Sequence, residues 1–234
     1  MIWEKLGKIW KGSDHLIWGE MGTLTPTPYL MGNGTIRVFC GLRDHSGVGR
    51  IGFFDVDENN PKKILGCSPT PVLDIGIPGM FDDNGMLLGD VIRVKDELRM
   101  YYVGFQLGVR AKFLAFGGLA ISKDNGETFH RFRQTPIMDR DDSGSFIRAI
   151  HGIRQLSDGK FQVWFSEGNS WEYIDKKPYP NYSVATLVSD DGLFFRKDQG
   201  EKINIERHGE YRLGRSRVFS LDEDNHILTF TYGK

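Results

Sequence analysis

Leu98-Arg99-Met100-Tyr101-Tyr102-Val103-Gly104 is an apolar, aromatic-rich run closed by a glycine, and the pattern returns three more times. The other copies are Thr35-Ile36-Arg37-Val38-Phe39-Cys40-Gly41, Gln162-Val163-Trp164-Phe165-Ser166-Glu167-Gly168 and Leu228-Thr229-Phe230-Thr231-Tyr232-Gly233. Their closing glycines stand 63, 64 and 65 residues apart. A fixed period of that size marks a repeat architecture, in which each unit buries its faces only against its neighbours. An apolar strand precedes each run, and third strands follow the first three at 50–56, 116–122 and 183–189.

In the second and third units a tight turn comes next, Ser122-Lys123-Asp124-Asn125-Gly126-Glu127-Thr128-Phe129 and Ser189-Asp190-Asp191-Gly192-Leu193-Phe194-Phe195. Aspartate bonds backbone amides across such a turn, glycine supplies the positive φ, and the aromatic returns to the core. The turn resembles the Asp-box of sialidases and other propellers, and Asp124 and Asp191 are given a structural task. Four strands per unit, no helical period and an even spacing predict an all-β fold of the β-propeller type. The expected blades are 23–74, 86–138, 148–203 and an incomplete 215–234, in a single domain over residues 1–234. Residues 1–22 form an N-terminal segment that periodicity leaves as a short strand or a short helix. About three and a half blades are counted, whereas propellers close with about four to eight. The expectation is a fragment of a five-bladed protein, or a second chain covering an open edge near Val218 and Phe230, as in a homo-oligomer.

The totals exclude several classes. A formal net charge of −1 provides no basic field for nucleic acid. No apolar run approaches the roughly 18 residues of a membrane-spanning helix, and Met1-Ile2-Trp3-Glu4-Lys5 begins no signal peptide, so a cytoplasmic location is expected. Cys40 and Cys67, both in strand-like segments, are expected as buried free thiols. Two cysteines and six scattered histidines have no metal-ligand spacing, and neither a metal nor another cofactor is expected.

The repeat also sorts residues by rim. Glu20, Asp83 and Glu210 lie at similar distances before the closing glycines of their units, while the third unit offers Asp141, Asp142, Arg148 and His151. Loops after the second strands add Arg43, Asp44, Gln106, Arg110, Glu167, Asn169 and Trp171. Arg212, Arg215 and Arg217 alternate near Glu210. Pro78-Gly79-Met80-Phe81-Asp82-Asp83-Asn84-Gly85 puts two adjacent carboxylates in a turn before an apolar strand. Paired carboxylates suit glycoside chemistry, where one acid protonates the leaving oxygen and the other group activates water or steadies the oxocarbenium-like state. Arginines suit sugar hydroxyls or an anionic group, and Trp171 offers a stacking plane.

These residues together resemble the five-bladed propellers related to glycoside hydrolases: arabinanases, xylosidases, invertases and mannoside phosphorylases. The closest likeness is to an uncharacterised branch associated with bacterial surface-polysaccharide synthesis. It is carried by Pro26-Thr27-Pro28, Ile36-Arg37-Val38 with Arg43-Asp44, the run Arg50-Ile51-Gly52-Phe53-Phe54-Asp55-Val56-Asp57, Phe81-Asp82-Asp83-Asn84-Gly85, Tyr101-Tyr102-Val103-Gly104 and Glu210. The resemblance implies acidic residues from three blades, here Asp82 or Asp83, Glu210, and for the first blade Glu20 or Asp44. The expected function is processing or hydrolysis of a glycan or glycoside by Asp82, Asp83 and Glu210. Arg43, Asp44, Arg110, Arg148, His151, Glu167, Trp171, Arg212 and Arg215 are the expected substrate-binding residues. The alternative is a non-catalytic sugar or nucleotide-sugar binding module in a polysaccharide-synthesis assembly.

Overall fold

The computed structural model describes residues 4–195, 201–203, 212–220 and 225–233. The first blade consists of β1 (Gly22–Leu30), β2 (Thr35–Arg43), β3 (Gly49–Asp57) and β4 (Ile64–Cys67), paired in chain order as an antiparallel sheet. The second contains β5 (Met86–Val94), β6 (Glu97–Leu107), β7 (Phe113–Ser122) and the short β8 (His130–Arg131). The third contains β9 (Ile147–Gln155), β10 (Phe161–Ile174), β11 (Lys177–Ser189) and β12 (Glu201–Ile203). β13 (Arg212–Ser220) and β14 (His226–Gly233) form a further antiparallel pair. Short parallel contacts, β7 with β9 and β11 with β13, stitch the later blades into one ten-stranded sheet, an eight-stranded path from β5 to β14 with β8 and β12 attached beside it. Among the described residues β14 pairs only with β13.

The aromatic doublet of the repeat explains why blades stack. Successive strand residues point to opposite faces. Tyr102 therefore enters the core between the first two blades with Phe39, Phe53, Met86 and Phe116, while Tyr101 enters the core between the second and third with Leu119, Ile150, Phe161 and Phe165. A sheet buried on both faces has no polar face to alternate with, so its strands read as near-continuous apolar runs. Each such side chain removed from water contributes about 2–3 kcal/mol.

The Asp-box turns hold the rim opposite the cavity described below. Asp124 accepts hydrogen bonds from Ser122 Oγ (2.6 Å), Thr128 Oγ1 (2.6 Å) and the Thr128 amide (3.0 Å). Burial pushes its carboxyl up, but the bonds from Ser122 and Thr128 outweigh it and hold the group at about 2. Asp191 accepts from the amides of Leu193 and Phe194 in the same manner. Gly126, at φ +86°, occupies the left-handed region the turn requires.

Three sequence expectations are settled or changed. Of the short strand and short helix left open for the N-terminal segment, its described residues form two short 3-10 helices, Gly12–Asp14 and Ile17–Gly19. Trp10 and Leu16 seat them on Cys40, Leu42, Phe54 and Val56, with Trp10 stacked on Phe54 at 4.6 Å, so packing takes the place of a ladder. The strands β10 and β11 run past Gly168 and begin before Ser183, paired as far as Ile174 opposite Lys177. Asp175 and Lys176 both take positive φ, the demand of a two-residue hairpin turn, without the Asn-Gly that advertises it. Cys40 is a buried thiol pushed up to about 12 by burial, whereas Cys67, on the short strand β4, is only half-buried. No described helix is long and apolar enough to cross a membrane.

Candidate functional site

The first strand of every blade bulges at the same level. The pairing register slips at Thr25 and Pro26 in β1, at Gly89 in β5, at His151 in β9, and at Arg215 and Ser216 in β13. A bulge leaves a residue unpaired and re-aims its side chain. Thr25 (φ 47°) and Arg215 (φ 53°) take the left-handed backbone to do so. Three of these side chains, Thr25, His151 and Arg215, meet on the wall of one cavity of about 590 Å³.

That wall has two kinds of surface. Leu87, Leu88, Val103, Phe105, Phe113, Pro178, Tyr179 and Tyr182 give it apolar and aromatic area. Arg43, Lys112, Lys177, Arg212 and Arg215 give it positive charge, and its described residues include no carboxylate. His151 Nε2 and Ser166 Oγ share a hydrogen bond of 2.8 Å on the wall. Burial, together with Arg217 and Arg215, pushes His151 down to about 3, so the ring is neutral at pH 7. Thr25 Oγ1 is buried with no hydrogen-bond partner among the described residues. A buried hydroxyl in that state is a ready ligand contact.

Off the cavity wall, Arg217 links the first strands of several blades. Its guanidinium bonds Asp90 Oδ1 (2.9 Å) and Thr27 Oγ1, while Asp90 Oδ2 accepts from the Ile153 amide (3.1 Å). Groups from β1, β5, β9 and β13 thus meet at one ion pair. Burial holds the Asp90 carboxyl above its ordinary range, and Arg217 works against that shift.

Those of the predicted carboxylates that are described lie elsewhere. Asp82 is wholly buried, and its Oδ2 accepts from Tyr102 Oη (3.0 Å) and from the Arg131 guanidinium (2.8 Å). Burial and then the Asp82 charge raise the Tyr102 hydroxyl pKa, which keeps it a donor. Asp83 is half-buried and caps its own turn, accepting the Gly79 amide at 2.8 Å. Phe81 stacks on Tyr102, and Asn84 bonds the Leu107 amide, so the whole 78–85 turn is fastened to β6. Glu210 lies outside the described residues. Glu20 is exposed and off the cavity wall.

Of the predicted binding residues, Arg43, His151, Arg212 and Arg215 are brought together on the wall. Asp44 instead closes its own loop, accepting from the amides of Ser46 and Val48 and from Arg50 at 2.6 Å. Arg110 is exposed and outside the cavity wall. Arg148 is buried against Asp141 at 2.5 Å. Glu167 is buried too, sharing the Ser143 hydroxyl (2.7 Å) with Asp141 (2.6 Å) and pairing with Lys202 at 3.1 Å. Burial raises the Asp141 carboxyl, and the bonds from Ser143 with the Arg148 charge more than reverse it. Trp171 is in β10 rather than a loop; Phe146 covers one ring face at 4.8 Å, and its edge contact with Phe113 (5.3 Å) backs the wall. Thr25, Lys112, Ser166, Lys177, Tyr179 and Tyr182 were not foreseen. Lys177 and Tyr179 belong to the unforeseen part of β11, and the signal for the bulge that turns Thr25 inward is Pro26, which cannot donate to a strand ladder.

No protein-family model matches the chain. An uncharacterised protein of Mycobacterium tuberculosis is 29% identical over 210 residues, which cover 89% of this chain and 68% of that protein. Among solved structures, a sucrose-6-phosphate hydrolase from Lactobacillus gasseri matches with a TM-score of 0.62 at 15% identity, over 89% of this chain and 40% of that one. A family 117 glycoside hydrolase from Zobellia galactanivorans matches with a TM-score of 0.55 at 14% identity, over 88% and 51%. The chain thus spans about half or less of these two structures. The fold is that of β-propeller glycoside hydrolases, and likeness at such identity defines the fold alone.

Proposed function

We propose that the chain is a carbohydrate-binding propeller of the glycosidase-like class, with its ligand in the central cavity. The convergence of inner-strand bulges on one cup carries this reading. A cup of about 590 Å³ falls within the range of small-ligand sites. Its Phe105, Phe113, Tyr179 and Tyr182 rings suit the apolar faces of a sugar, while Thr25, His151 and Ser166 suit its hydroxyls. The fold likeness to glycoside hydrolases supports the ligand class by analogy. The sequence likeness carried by Pro26-Thr27-Pro28 and Phe81-Asp82-Asp83-Asn84-Gly85 supports a place in bacterial surface-polysaccharide assembly.

Glycoside hydrolysis is the second reading, favoured by the same fold likeness. It needs Glu210 as acid and an aspartate such as Asp83 as base, about 6.5–9.5 Å apart for inversion or about 5–5.5 Å for retention. Glu210 lies outside the described residues, and Asp83 is not among the described wall residues. A screen of glycans and aryl glycosides with wild type and Asp83→Asn separates the two. Glycan binding without turnover, unchanged in Asp83→Asn, is the expected result. Turnover that collapses in Asp83→Asn favours hydrolysis, and failure to bind any sugar sinks both readings.

A further inference from the structure

The charge of the cup narrows the ligand. Arg43, Lys112, Lys177 and Arg215 form no salt bridge with any described residue, although carboxylates elsewhere in the chain are heavily paired. Arg43 ends β2, Lys112 precedes β7, Lys177 starts β11 and Arg215 sits on the β13 bulge, so four blades each bring a cation to one concavity. Unpaired cations gathered in a cup repel one another and raise the cost of the empty site, an arrangement that an anion relieves. Neutral sugars have no need of such a field.

We propose that the cavity takes a phosphorylated sugar, its phosphate held by Arg43, Lys112, Lys177 and Arg215 and its ring set against Phe105, Phe113 and the His151–Ser166 pair. This rests on the sugar-binding reading above. A phosphate monoester carries close to two negative charges at pH 7, a better match to several cations than the single charge of a carboxylate. Arginine's planar fork suits phosphate oxygens in pairs, and lysine adds point charge. A sugar monophosphate and a nucleotide diphosphate-sugar share this chemistry.

Calorimetric titration of the whole chain tests the proposal with five probes: glucose 6-phosphate, UDP-glucose, glucuronate, methyl glucoside and inorganic phosphate. One or both phosphorylated sugars should bind at least about 10-fold tighter than methyl glucoside and glucuronate, and should weaken several-fold between 50 and 200 mM salt. Which of the two binds tighter assigns the monophosphate or the diphosphate. Arg215→Gly suits the left-handed backbone at that position and so spares the fold. It should cost about 10-fold for phosphorylated sugars and under about twofold for methyl glucoside, and exposed Arg43→Gln should act alike. Equal affinity for methyl glucoside and the phosphorylated sugars would overturn the phosphate proposal and leave sugar binding standing. Tightest binding of glucuronate would also overturn it. Inorganic phosphate bound as tightly as the sugar phosphates would overturn sugar binding instead, and no binding by any probe overturns both.

Discussion

The 78–85 turn and the central cup use charge in opposite ways. In the turn, Asp82 has no exposed surface and spends its Oδ2 on Tyr102 and Arg131, while Asp83 serves the Gly79 amide. In the cup, Arg43, Lys112, Lys177 and Arg215 stand on a concave wall without acidic partners among the described residues. The turn carries the more conspicuous motif, yet its Asp82 charge is paired with Arg131 inside the protein, with Oδ1 left buried and without a hydrogen bond among the described residues where no ligand reaches it from solvent. A group that has been left unpaired at some cost, in a place that a ligand can reach, says more about binding than the residue types usually associated with a reaction.

The largest test of this contrast is Asp82→Ala. It strands the Arg131 guanidinium and the Tyr102 hydroxyl, and should cost about 3–5 kcal/mol in urea denaturation. Ligand affinity of the protein that remains folded should change less than about twofold. Wild-type stability in Asp82→Ala would break the contrast, since Asp82 would then have no structural task to set against the cup.

Arg217→Ala comes next, at about 2 kcal/mol, because the pair with Asp90 is only partly buried. Asp90 already titrates above its ordinary range, so without Arg217 the folded protein should take up a proton more readily still. The deficit should therefore shrink as pH falls and Asp90 is neutralised, and Asp90→Asn in the Arg217→Ala background should restore part of it. A deficit that grows on acidification would show that the ion pair is not its source.

The smallest effect concerns the Asp-box. Asp124→Ala should lose about 1 kcal/mol at pH 7, kept modest by solvent screening of this exposed group. Asp124 is depressed in the folded state, so its contribution is present above the unfolded value near 3.8 and is lost as pH falls towards about 2. Wild type and variant should converge over that window. Parallel curves from pH 7 to 2 would remove the carboxylate from the account.

The fold was readable because the repeat is written in apolar residues. A blade buried on both faces must show a run such as Met100 to Val103, and its period survives in any composition that keeps the faces apolar. The site was half readable. Arg43, His151, Arg212 and Arg215 follow from their position after or within strands of the repeat. Thr25 depends on a bulge, a two-against-one pairing between strands whose one mark in the sequence is Pro26, a residue that cannot donate to a ladder. Lys177 and Tyr179 depend on a hairpin turned by Asp175 and Lys176, residues that pay a conformational penalty for φ > 0 and so do not announce the turn. Asp82 and Arg148 misled for one reason: sequence shows that a charge exists and hides the partner, Arg131 or Asp141, that consumes it.

Arg217 also bears on how the blades are held to one another. Through Asp90 and Thr27 its guanidinium ties β13 to the first strands of the second and first blades, and the Ile153 amide on the same carboxylate brings in the third. Loss of that one side chain would therefore loosen four blades together, and the cup whose wall those strands carry would lose its shape from every side at once.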